Sequence, residues 1–210
     1  MTLRAVRPFD MVLWGATGFT GRLVADYLAR HAPPGLQWAL AGRSEDKLRA
    51  LLAQLDPVHE PPQILTASLD KRESLQTLSA QTRVLISTVG PYAQLGTPIL
   101  EACVDTDTDY CDLTGEVPWI RSSIDRFHEQ AAAQGTRIVH CCGFDSIPSD
   151  LGVFLLHVAA AEQSMTLEQV KLFTAHLRGG ASGGTLASLM GVLDQAQDPQ
   201  IRRILGHPYS

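Results

Sequence analysis

The sequence predicts an α/β fold built on a doubly wound, mainly parallel sheet, and three observations carry that prediction. Short apolar runs of strand length alternate with helical patterns up to about residue 150. The first run passes into a helix through three glycines spaced three apart, in "VLWGATGFTG". The composition, 45% apolar and 19% charged over 210 residues, is that of a chain able to bury a core.

Each element has a local reason. Residues 9–14 form a buried apolar run and read as the first strand. Residues 21–31 read as a helix, with Leu23, Val24, Tyr27 and Leu28 on one face, stopped by "APPG". Residues 38–41 are a second short strand. The stretch "RSEDKLRALLAQLDP" is a helix: Ser44 caps it, Glu45 and Asp46 suit its positive end, and Leu48, Leu51, Leu52 and Leu55 form its stripe. Residues 64–67 are a third strand and 71–80 a short helix. "VLISTV" is a fourth strand, and Pro98 opens a helix through Cys103. Residues 110–113 are a fifth strand. Residues 119–134 are a helix ended by Gly135, and "RIVHCC" is a sixth strand. Six strands in such units predict the order 3-2-1-4-5-6.

After residue 150 the pattern changes. Residues 150–161 read as a helix, "QVKLFTAHL" alternates like a half-buried strand, "RGGASGGT" is a glycine-rich turn, and 185–197 is a further helix. The expected division is therefore 1–150, a nucleotide-binding domain, and 151–210, the start of a second α/β domain that stops short. One strand makes no sheet, and about 60 residues is thin for an independent core.

The bulk properties exclude several classes. With a net charge of −5 and no long basic run, nucleic acid is not a partner. No apolar run reaches the roughly 18 residues of a membrane span, and the N-terminus lacks a signal-peptide design. "LGVFLLHVAAA" is too short to span and reads as a core helix, although exposure of it would invite a homodimer through the second domain, or peripheral membrane or lipid association. Four cysteines without a CxxC pair indicate a cytoplasmic chain with reduced thiols. His140, Cys141 and Cys142 do not have the spacing of a closed zinc site, and the two cysteines read as buried strand thiols, so no metal is expected.

A strand-turn-helix with glycines at the turn is how this fold meets a dinucleotide. One glycine adopts φ > 0, one lets backbone approach the pyrophosphate, and one lets helix and strand pack closely, while the helix N-terminus offers free N–H groups to the phosphates. The candidates are Gly15, Gly18 and Gly21, with Ala16, Thr17, Phe19 and Thr20 offering backbone or hydroxyl donors. The spacing is GxxGxxG rather than GxGxxG. The second strand ends in "AGRSEDK". Arg43, Ser44 and Lys47 stand where an NAD site carries an acid for the ribose, so NADP is favoured over NAD. Asp70, at the end of the third strand, contacts adenine or caps the next helix. The fourth strand ends in "STVGPY", which puts Val89, Gly90 and Pro91 against the cofactor. Tyr92 faces substrate or packs.

The stretches "GATGFTGRLVADYL", "LAGRSEDKL", "STVGPYAQLGTPILEAC", "YCDLTGE", "CCGFDSIPSDLG" and "RGGASGGTLAS" together resemble the saccharopine dehydrogenase-like oxidoreductases, and within them the trans-acting enoyl reductase branch. The resemblance covers nearly the whole chain, with its motifs in order. It implies an N-terminal Rossmann domain binding NAD(P), followed by a C-terminal α/β domain that closes over it. It also implies a longer protein, with a complete active site lying partly outside this sequence. The implied activity is hydride transfer, with reduction of an activated C=C on a lipid or polyketide-like acyl substrate.

Hydride transfer needs a positioned acceptor and usually a proton donor. Lys47, Lys71 and Lys171 are the only lysines and none follows a tyrosine by four, so a Tyr-x-x-x-Lys mechanism is excluded. Candidates at the C-terminal strand ends are Tyr92, Asp112, Thr114, Glu116, Asp145 and Ser146, of which Tyr92, Asp145 and Ser146 lead. Asp145 and Ser146 bind substrate or nicotinamide, or cap the helix behind Pro148. Asp150 reads as a cap, and "GGASGG" as an anion cradle or a hinge. After residue 150 the cations are only Lys171, Arg178, Arg202 and Arg203, few for a dicarboxylic substrate such as saccharopine. A catalytically silent nucleotide-binding module, acting as scaffold or redox sensor, is the alternative.

Overall fold

The computed structural model describes residues 6–176, 180 and 183–207. The elements run β1 (Phe9–Trp14), α1 (Phe19–His31), β2 (Trp38–Gly42), α2 (Glu45–Leu52), β3 (Gln63–Thr66), α3 (Arg72–Ser79) and β4 (Thr82–Ser87). They continue with α4 (Tyr92–Leu95), α5 (Thr97–Asp105), β5 (Asp109–Asp112), α6 (Val117–Gln134), β6 (Ile138–Val139), α7 (Ile147–Glu162), α8 (Gly183–Gln195) and α9 (Pro199–Gly206). The six strands are parallel in the order β3-β2-β1-β4-β5-β6, as the sequence predicts.

Strand alternation divides the core into two layers. Val12, Trp14, Leu85 and Tyr110 point to one face and pack on Leu75 and Leu78 of α3, Ile99 and Leu100 of α5, and Trp119 and Phe127 of α6. Leu13 and Leu40 point to the other, onto Ala25 and Ala29 of α1 and Leu48 and Leu51 of α2. The Ser44 hydroxyl accepts from Lys47 N at 3.4 Å and opens α2 as its sequence suggests. Gly135 closes α6 at φ 73°, the left-handed conformation that favours glycine.

Several expectations are corrected. The sixth strand is only Ile138–Val139, because Cys141 turns to φ 61° and ends the ladder; Cys142 N then donates to Asp112 O at 2.7 Å. Cys141 is half-buried and Cys142 exposed, so they are not buried strand thiols. Residues 165–176 form no strand, since nothing pairs with them. Helix α7 runs across residue 150 and is not buried by the described residues: most of its apolar residues are exposed, Phe154 and Leu155 among them, and only Ala160 is buried. Asp150 lies in its first turn rather than at its cap. Most of the "RGGASGG" turn lies outside the described residues, while Gly183 and Gly184 open α8. No helix among the described residues is long and apolar enough to cross a membrane.

Candidate active site

The three glycines do three different jobs at the β1–α1 turn. Gly15 sits at φ +85°, and a Cβ there would fall 2.4 Å from Val89 Cγ2. Gly21 is buried in the first turns of α1, and a Cβ would meet Gly15 O at 2.2 Å and the Ala16 backbone at 2.8 and 2.9 Å. The helix can therefore lie against the turn only with glycine at that point. Gly18 is exposed at the N-cap, its N–H donating to Gly15 O at 3.0 Å. Among the described residues no side chain caps α1, so the first-turn N–H groups at this open turn have no side-chain partner there. An anion is the natural occupant of such an end, and an exposed glycine beneath it leaves room for close approach.

The neighbouring strand ends frame the turn. The Thr88 hydroxyl donates to Trp14 O at 3.1 Å and Gly15 O at 3.2 Å, tying the end of β4 to the glycine turn. Ala16 is buried and Thr17 half-buried, while Phe19 is exposed and Thr20 half-buried at the start of α1. Arg43 and Lys47 are exposed past the end of β2, with Ser44 between them engaged in capping α2. Asp70 is exposed, and the Ser68 hydroxyl donates to it. That bond holds its carboxyl below the usual carboxylate range, with smaller shares from its own backbone N–H and the charges of Lys71 and Arg43. Arg43 and Asp70 thus face one patch from adjacent strand ends.

The β4 loop is held by groups the sequence names but does not connect. Val89, Gly90 and Pro91 are half-buried, and the Gly90–Pro91 peptide is cis. Glu116 is buried, and its carboxylate accepts from Tyr92 N at 2.8 Å, Ala93 N at 2.9 Å and the Ser188 hydroxyl at 2.6 Å. It caps α4 and pins α8 over the loop. Thr114 Oγ1 accepts from Glu116 N at 3.1 Å, and Asp112 Oδ1 accepts from Thr114 N at 3.1 Å. Asp112 Oδ2 meets His140 Nδ1 at 2.8 Å. One buried polar chain therefore runs from β6 through the β5 loop to the β4 loop. Ser188 carried no signal in the sequence.

Of the three leading catalytic candidates, Tyr92 is turned inward. It is 4% exposed, its hydroxyl donates to Ser87 O at 3.0 Å, and its ring lies 5.5 Å from that of Trp119. Burial is the largest cause pushing its hydroxyl pKa well up, followed by the charge of Asp112. This placement is that of a packing residue. Asp145 is exposed beyond β6, its carboxylate over Gly143 and Gly115, where a Cβ would meet it at 2.8 and 3.6 Å. Ser146 takes the N-cap place of α7 without a side-chain cap bond. Among the described residues no group of three or more metal-ligating side chains is present.

A parallel sheet in this order, with an uncapped helix end over a glycine turn at the first crossover, defines a Rossmann-type dinucleotide-binding domain. Residues 11–139 match the family described as the saccharopine dehydrogenase NADP binding domain, and the chain belongs to that family. It is 47% identical over 205 residues, 97% of this chain and 49% of the other, to a Mycobacterium tuberculosis protein described as a candidate trans-acting enoyl reductase. It is 40% identical over 209 residues, 98% of this chain and 50% of the other, to a trans-acting enoyl reductase of Mycobacterium bovis. The chain spans about half the length of these relatives. In fold it is similar to a saccharopine dehydrogenase (L-Glu forming) of Saccharomyces cerevisiae, with TM-score 0.57, 16% identity, and coverage of 73% of this chain and 32% of that one.

Proposed function

We propose that this chain is the NADP-binding part of an oxidoreductase that reduces an activated C=C of a lipid or polyketide-like acyl substrate. The observation that carries the reading is the uncapped α1 N-terminus above Gly15, Gly18 and Gly21. It fits a pyrophosphate, and Gly18 gives it room. Arg43 and Lys47 fit a 2′-phosphate at the end of β2. The nicotinamide, when bound, supplies hydride from its ring. Gly90 and Pro91 are the backbone against which that ring packs, and the Glu116 carboxylate keeps them in place through Tyr92 N and Ala93 N. Asp145 is the exposed acid at these strand ends and the group that orients or protonates substrate. Residues 151–210 begin the substrate domain, and the exposed apolar residues of α7 and α8 are where it completes itself or meets a second copy.

The alternative, a silent NADP-binding module, is favoured by one observation: the Tyr92 hydroxyl is spent inside the fold. Calorimetry with NADPH and NADH on the wild-type chain and Arg43→Asp tests the first part of the proposal. The expectation is tighter NADPH binding, with the preference lost in the variant. Equal affinity for both cofactors would remove Arg43 from the site. Loss of NADPH absorbance with an α,β-unsaturated acyl thioester in the full-length protein, abolished by Asp145→Ala, separates enzyme from silent module.

A further inference from the structure

Two thiols meet where β5 and β6 end. Cys111 lies in β5 and is half-buried, with Val139 of β6 as its register partner. After Val139 the chain bends. Cys141 takes φ 61°, and Cys142 comes back beside β5, its N–H donating to Asp112 O at 2.7 Å. The Cys142 thiol turns back along β6, toward the partner of Cys111, and donates to Val139 O at 3.5 Å and His140 O at 3.8 Å. Cys142 is exposed. The two thiols are also joined to each other, with the Cys111 S–H donating to Cys142 Sγ: that bond favours the ionised form of Cys142 and the protonated form of Cys111.

We propose that Cys111 and Cys142 are a redox pair that a small disulfide closes into a disulfide bond, Cys142 attacking and Cys111 resolving. Cys142 attacks because it is the one open to solvent and because the Cys111 S–H steadies its thiolate. In the first step the Cys142 thiolate attacks one sulfur of the small disulfide. The S–S bond breaks, one half leaves as a thiolate, and the other half stays on Cys142 as a mixed disulfide. In the second step the Cys111 thiolate attacks Cys142 Sγ and releases the remaining half as a thiolate. The protons of the two cysteines pass through solvent to the two thiolates released. Two protein thiols are thereby oxidised to one disulfide, and the small disulfide is reduced to two thiols. Burial and then the charge of Cys142 are the largest causes pushing the Cys111 thiol up, and the mixed disulfide removes the second of them. The other two cysteines are excluded by geometry. Cys103 is fully buried in α5, with the Ser79 hydroxyl 3.7 Å away. Cys141 and Cys142 are adjacent, so their Cα atoms are about 3.8 Å apart, below the roughly 4.4 Å that a disulfide spans. No candidate cofactor residue belongs to the pair, so the proposal stands apart from the NADP reading.

The test treats the folded, reduced whole chain with bis(2-hydroxyethyl) disulfide. Burial and the Asp112 charge hold the Cys142 thiol above its ordinary value, so the exchange is run at mildly alkaline pH. Samples are quenched with iodoacetamide over time, and their peptides are mapped by mass spectrometry. The mixed disulfide is expected first, on Cys142, and then to give way to a peptide cross-link between Cys111 and Cys142 with the loss of two hydrogens. Cys103 should stay a thiol until the chain is unfolded. Cys111→Ser should leave the mixed disulfide on Cys142 with no decay into a cross-link. Cys142→Ser should abolish modification at Cys111, and Cys141→Ser should leave the cross-link in place. The wild-type map decides the matter whether or not each variant folds. A link between Cys141 and Cys142, a mixed disulfide that persists on Cys142 in the wild type, or a Cys142 left unmodified would overturn the proposal. NADPH titration of the reduced chain is read separately, since its outcome bears on the glycine turn alone.

Discussion

Replacing Gly21 with alanine should damage the fold, and replacing Gly18 should damage binding more than the fold. In Gly21→Ala the new Cβ would lie 2.2 Å from Gly15 O and under 3 Å from two Ala16 backbone atoms. Ordinary contact begins near 3.5 Å, so α1 must retreat by about 1 Å from a backbone that cannot rotate out of the way. Overpacking of this kind costs ~1–3 kcal/mol, here the upper end because the obstacle is main chain. Alanine returns ~0.8–1.0 kcal/mol of helix propensity. The net is about 2 kcal/mol, or ~4–8 °C in melting temperature for a chain of this size. The retreat also draws the α1 N–H groups away from the phosphates, so NADPH affinity should fall at least about tenfold. In Gly18→Ala the Cβ meets only Gly15 O, at 3.3 Å, so stability should fall by about 1 kcal/mol or less, the preference of an N-cap for glycine over alanine. NADPH affinity should still fall by about tenfold, because the methyl occupies the approach of the pyrophosphate. Urea unfolding followed by circular dichroism, with calorimetric NADPH titration, measures both. A Gly21→Ala chain as stable as wild type, or a Gly18→Ala chain with undiminished affinity, would refute the reasoning.

Glu116→Ala leaves Tyr92 N, Ala93 N and the Ser188 hydroxyl without their acceptor and should cost about 3 kcal/mol in urea unfolding, whereas Glu116→Gln, which keeps one acceptor oxygen, should cost about half of that. The Cys103 and Cys111 thiols are pushed up to about 12 by burial, from an ordinary 9.0. Unfolding lets them ionise, so stability should be level below pH 9 and fall as pH rises from 9 toward 12, by about 1.4 kcal/mol per pH unit for each thiol. Cys103→Ala should make that decline shallower, and parallel curves for variant and wild type would count against it. Ser44→Ala should cost about 1 kcal/mol in thermal unfolding through loss of the α2 cap, without changing the secondary structure.

The sheet was legible because its signals are local. Apolar runs, the cap at Ser44 and the left-handed stop at Gly135 each act within a few residues, and the strand order follows once the units alternate. The GxxGxxG turn was legible for the same reason, since backbone sterics at Gly15 and Gly21 demand glycine wherever the rest of the chain goes. Helix α7 was misread because hydrophobicity measures a wish for burial, not a partner. The same residues that read as core stand exposed where no described element covers them.

What the sequence does not yield is pairing across strands. Tyr92, Asp112, Thr114 and Glu116 were each visible as polar residues near strand ends, where an enzyme keeps its acids. Only the register of β4, β5 and β6 joins them into a buried chain from His140 to the Gly90–Pro91 loop. That register changes their meaning. Tyr92 becomes a packing residue, Glu116 the cap that shapes the loop, and Asp112 the group that joins the β5 loop to His140. Under the proposed function, chemistry at this end of the sheet would fall to the exposed Asp145 and to the rest of the substrate domain. The buried acids hold the loop still while it happens, which is why Glu116→Gln should move both stability and NADPH affinity, whereas Asp145→Ala should move turnover and leave both unchanged.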